Sequence, residues 1–135
     1  RLEKVDEGIR VLGGITSDGM NFMHCAAIEG KQKSFEWASQ TLNETDVDFL
    51  LHETTPIKMS VLHAAMIGGD VSTLEWVNEK APFLFKEKDD HGLNLYHYGA
   101  TGGFVEPLQW AEEEENKRKE RQREEGEEME EEGWL

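Results

Sequence analysis

The chain has 135 residues, room for one compact domain, with 37% hydrophobic and 32% charged residues and a formal net charge of −15. That acidic balance excludes nucleic acid and anionic membrane surfaces as expected partners, since both need clustered Lys and Arg. No apolar run approaches the ~20 residues needed for membrane insertion. The charge is uneven: residues 111–135 carry twelve Glu against five Lys or Arg, while the rest has an ordinary globular composition. From the N-terminus, Leu2, Val5, Ile9 and Leu12 recur at helical spacing, and Gly13-Gly14 stops the segment. Residues 1–14 therefore read as an N-terminal capping helix, whose one apolar stripe packs on the first of the helices after it.

Residues 15–111 contain three copies of one pattern. Asn21-Phe22-Met23-His24-Cys25-Ala26-Ala27-Ile28-Glu29-Gly30 returns without gaps as Ser60-Val61-Leu62-His63-Ala64-Ala65-Met66-Ile67-Gly68-Gly69. The third copy is Asn94-Leu95-Tyr96-His97-Tyr98-Gly99-Ala100-Thr101-Gly102-Gly103. Trp37, Trp76 and Trp110 each follow the repeat's His by thirteen residues. The spacing predicts two short helices per copy. Asn21, Ser60 and Asn94 are N-cap residues, whose side-chain oxygen takes a backbone N–H that the first turn leaves free. Gly30, Gly69 and Gly103 end the first helix, because Gly tolerates the left-handed conformation. The second helix carries the Trp and, in the second copy, stops at Ala81-Pro82. The His spacings of 39 and 34 imply about five extra residues between Leu42 and Ser60, including the apolar run Phe49-Leu50-Leu51.

The last helix begins near Pro107, whose missing N–H costs little in a first turn. Residues 112–135 form an acidic helical tail with no apolar stripe. Pairs Glu113–Lys117, Glu114–Arg118 and Glu115–Lys119 support it by about 0.2–0.5 kcal/mol each. A solvated helix of roughly twenty residues, about 30 Å long, is expected to project. Beyond Gly126 it should fray, leaving Trp134 and Leu135 as an apolar tip on a polar stalk.

The repeats resemble the ankyrin family, whose unit carries T-P-L-H-x-A and then a Gly at the end of its first helix. His24, His63 and His97 match the signature His, and Ala26 and Ala65 match its Ala. Asp18-Gly19 and Asp89-Asp90-His91-Gly92 look like the family's hairpin-tip turns, and Asp46-Val47-Asp48 resembles its exit from the second helix. Departures include Phe22, Val61 and Leu95 at the Pro position, and Gly99 for the first Ala of the third copy. The resemblance implies an all-α, ankyrin-like helix–turn–helix repeat stack, with the N-terminal capping helix and the charged C-terminal helix at its ends. In the family the signature His is structural.

The resemblance also implies a non-catalytic protein–protein interaction module, here an accessory or scaffold subunit docked in a larger assembly. Its protein partners would meet hairpin tips carrying Met20, Met59 and Leu93, and first helices carrying Ile28, Ile67 and Thr101. Trp134 and Leu135 would add a contact at the far end. The Trp ladder reads as packing between repeats. Alternatives are an acidic-tailed, chaperone-like binder of a basic protein, or a fragment of a longer multidomain enzyme. No nucleophile, base and orienting group assemble within the chain, no phosphate loop or zinc-spaced set occurs, and no catalytic, cofactor or metal residue is assigned. Cys25 is the single cysteine, so no internal disulfide forms and an intracellular, reducing setting is expected. A targeting segment removed ahead of Arg1 would leave an organellar compartment open.

Overall fold

The computed structural model describes residues 13–133. Most of the expected capping helix, residues 1–12, lies outside them, as do Trp134 and Leu135. Among the described residues the chain is all-helical. Helices α1 (Phe22–Ile28), α4 (Val61–Gly68) and α6 (Leu95–Gly102) are the first helices of the three repeats. Helices α2 (Gln32–Thr41), α5 (Val71–Lys80) and α7 (Val105–Gly133) carry the tryptophans. Helix α3 (Glu44–His52) and a 3₁₀ turn (Pro82–Lys86) lie in the connections.

Capping chemistry starts each first helix where the sequence places it. Asn21, Ser60 and Asn94 accept the backbone N–H of His24, His63 and His97. Each His reciprocates: its Nδ1 accepts the cap residue's own N–H, at 3.1, 2.9 and 3.0 Å. This is a capping box with imidazole in the place of the usual Glu or Gln.

Helix α1 packs on α4, and α4 on α6, with α2 and α5 behind them. Met23, Phe35, Leu50, Leu62, Met66 and Leu74 are completely buried between these layers. The first helices approach so closely that a Cβ on Gly68 would overlap the Ala27 carbonyl oxygen, and one on Gly102 would sit 2.7 Å from the Ile67 oxygen.

The extra residues between the first two repeats form α3, which the apolar run alone does not reveal as a helix. Asn43 caps it through the Asp46 N–H, and Val47, Leu50 and Leu51 turn inward while Phe49 stays exposed. The second repeat makes the same connection with its short 3₁₀ turn.

The C-terminal region departs from expectation. Helix α7 runs unbroken through Gly126 to Gly133 instead of fraying there. A single Gly costs only about 1 kcal/mol within a long helix. Nor is its first acidic stretch wholly solvated. Arg118 donates to the Asn78 side chain (2.9 Å) and the Pro82 carbonyl (3.1 Å), pairs with Glu114 at 2.9 Å, and covers the Phe85 ring at 4.3 Å. The Tyr96 hydroxyl donates to Glu115. Arg118→Ala is expected to keep the helical content, lower stability by about 1–2 kcal/mol, and speed amide exchange over residues 112–121 in mass-spectrometric measurements.

Candidate functional site

A turn precedes each first helix, and all three turns share one hydrogen-bond pattern. The N–H of Thr16, Thr55 and Asp89 donates to the carbonyl of Met20, Met59 and Leu93, at 2.9, 3.1 and 3.0 Å. In return, the N–H of Met20 and of Met59 donates to the Thr16 and Thr55 hydroxyls, and that of Leu93 to the Asp89 carboxylate. The fourth residue of each turn is left-handed: Gly19 (φ 80°), Lys58 (φ 63°) and Gly92 (φ 79°). Gly19 and Gly92 meet that demand without strain. Lys58 does not, since an L side chain there costs roughly 1–2 kcal/mol. Adjacent turns touch: Gly19 lies against the Pro56 ring, and the Asp90 N–H donates to the Ile57 carbonyl at 2.7 Å.

The repeat histidines tie these turns to the helices. With Nδ1 accepting, the ring proton sits on Nε2. His24 Nε2–H donates to the Met59 carbonyl (3.2 Å) and His63 Nε2–H to the Glu87 carbonyl (3.1 Å), each crossing to the next repeat. Burial holds both imidazoles below their usual pKa, so they are neutral near pH 7. His63 also stacks on Tyr98 at 4.5 Å, and the Tyr98 hydroxyl donates to Asp89 at 2.6 Å. That bond holds the Asp89 carboxyl below its ordinary range, while burial and then Asp89 itself push the Tyr98 phenol up. Both ring nitrogens of His24 and His63 are therefore engaged in the fold, and neither is free for proton transfer beside Cys25.

The expected contact residues divide. Leu93 is 37% exposed and Thr101 is exposed, whereas Met20, Ile28 and Ile67 are half-buried against the core. Met59 is a correction: at 8% exposure it belongs to the core, and its carbonyl receives His24. Trp134 and Leu135 lie outside the described residues. Sequence reasoning places a tip at Met59 but misses the residues that build the middle turn, Thr55 to Lys58, and with them Ile57, which is 45% exposed. The available signal is Thr55-Pro56, since Pro presets the second position of a turn.

Each repeat tryptophan leans on a phenylalanine: Trp37 on Phe22, Trp76 on Phe35 and Trp110 on Phe85, with centroids 5.6, 5.1 and 6.0 Å apart. Trp37 is exposed, Trp76 half-buried and Trp110 buried. Among the described residues no group of three or more His, Cys, Asp or Glu is arranged to hold a metal ion. The surface depressions are shallow, one of about 580 Å³ lying between α5 and α7 beside Asn78 and Arg118. What the turn row offers is a line of fixed backbone bearing a few projecting side chains. No family model, curated protein or solved structure matches the chain.

Proposed function

We propose that the chain is a stack of three ankyrin-like units and works as a non-catalytic protein-binding subunit, docked into a larger assembly through its row of turns. The observation that carries this reading is Lys58. Two turns meet the left-handed position with Gly, and the middle one keeps a strained Lys beside the exposed Ile57. Strain retained at an exposed position points to work done by the side chain, because folding alone favours Gly there. The engaged histidines support a binding role over catalysis, since neither His24 nor His63 keeps a free ring nitrogen.

Lys58→Gly separates stability from binding. It should raise the urea midpoint by the equivalent of about 1 kcal/mol. Quantitative crosslinking in native extract from Lys88 beside the neighbouring turn, an amine that the substitution leaves in place, should meanwhile drop, and Ile57→Ser should lower it further. A stabilised Lys58→Gly protein with undiminished crosslinks to its partner would sink the reading.

A further inference from the structure

The unit-to-unit contact is made from the same positions twice, and the third repeat presents those positions uncovered. On α4 the outgoing side is His63, Met66 and Ile67, where α6 packs and leaves Met66 at 0% exposure; past the helix, Val71 is half-buried against the core. The equivalent residues at the end of the row are His97, Ala100, Thr101 and Val105. All four are exposed, Val105 by 59%. Leu93 is likewise uncovered where its counterpart Met59 is buried. His97 accepts its cap N–H on Nδ1, as the other two histidines do, so its Nε2–H is a donor. His24 and His63 give that proton to a carbonyl of the following repeat, and among the described residues His97 gives it to none.

We infer that this end face, Leu93, His97, Ala100, Thr101 and Val105, is a docking site for a helix–turn segment of a different protein. The inference rests on the stacked-unit reading above. Continuity with the two internal contacts specifies the occupant. It brings a backbone carbonyl to His97 Nε2–H, as Met59 and Glu87 do, and an apolar helix face to Ala100 and Val105. It also carries Gly five residues after its own His position, because Gly68 and Gly102 are the points where the incoming helix touches the receiving backbone. A second copy of this chain does not qualify. Its first repeat has Glu29 at that position, and even a Cβ at the Gly68 site would overlap the receiving carbonyl. The face therefore selects a heterologous partner and rejects head-to-tail growth.

The test uses the full chain, ¹⁵N-labelled, and a hydrocarbon-stapled peptide copying residues 87–103, which contains the required Gly102. The staple joins peptide positions 96 and 100, and helicity is verified by circular dichroism. Saturable shifts at residues 93, 97, 100, 101 and 105 are expected. The peptide with Gly102→Glu should bind at least tenfold more weakly. So should the unaltered peptide to the Ala100→Arg chain, whose exposed substitution leaves the melting temperature unchanged. Lys58→Gly should bind the peptide as wild type does, so failure here is distinguishable from failure of the turn-row reading. A helical peptide that shifts none of these residues, or binds equally well with Glu at position 102, overturns the proposal. So does reversible self-association of the wild-type chain through this face in sedimentation.

Discussion

Gly68→Ala should cost about 3 kcal/mol, a large loss for the addition of one methyl group. The added carbon would collide with the Ala27 carbonyl oxygen and lie 3.0 Å from the Ala27 carbonyl carbon and the Ile28 oxygen. Every one of these atoms is backbone, so no rotamer change relieves the contact. Helix α1 must move away from α4, and that movement pulls His24 from the Met59 carbonyl. Ala is a better helix former than Gly by about 1 kcal/mol, so the two effects oppose each other and the clash must win. Urea unfolding decides the sign: a lower midpoint at unchanged slope is expected, and a higher midpoint would mean that the helices do not approach this closely.

His63→Ala should be comparably severe, at about 3–4 kcal/mol, while His97→Ala should cost less than about 1 kcal/mol. The two histidines have the same local role and differ in what surrounds them. Removing His63 leaves the buried Ser60 N–H and the Glu87 carbonyl without their partners and opens a space against Tyr98. Removing His97 loses an exposed capping contact and little else. The same reasoning gives a pH dependence. Burial lowers the imidazole pKa of His24 and His63 in the folded state, against about 6.5 in the unfolded chain. Below that value the unfolded state takes up protons that the fold refuses, so stability is full above about pH 6.5 and declines as the pH falls toward the folded values. Protonation at Nδ1 would also remove the acceptor for the cap N–H. Chemical denaturation at pH 7.5 and 5.5 should show the decline, and His63→Ala should show a smaller one.

The all-helical class and the starts of α1, α4 and α6 are legible in the sequence because caps and helix-ending glycines are local chemistry. Asn21, Ser60 and Asn94 need only the residues beside them. The middle turn is only half legible: Thr55-Pro56 marks its start, but its left-handed residue is Lys58, and a lysine carries no sign of positive φ. Helix α3 does have a signal, Asn43 followed by Val47, Leu50 and Leu51 at helical spacing, but alignment to the other repeats marks that stretch only as an insertion. The docking of α7 is invisible for a different reason. Arg118 finds Asn78 forty residues back, and Tyr96 finds Glu115, and nothing in a run of Glu and Lys distinguishes the side chains that turn inward. Met59 defeats the rule that a turn residue faces solvent, because here it is part of the core. Among the candidate contact residues, position in the repeat is readable and exposure is not.

The anchoring of α7 has a mechanical consequence. Past Arg121 the helix continues for twelve residues, about 18 Å of rod with its base pinned. A sideways load on that rod would reach the body at Arg118, on Asn78, Pro82 and Phe85 behind the second repeat, and at Glu115, on Tyr96 of the third. The torque is thus shared across a boundary between repeats, and whatever grips the far end pulls on that seam.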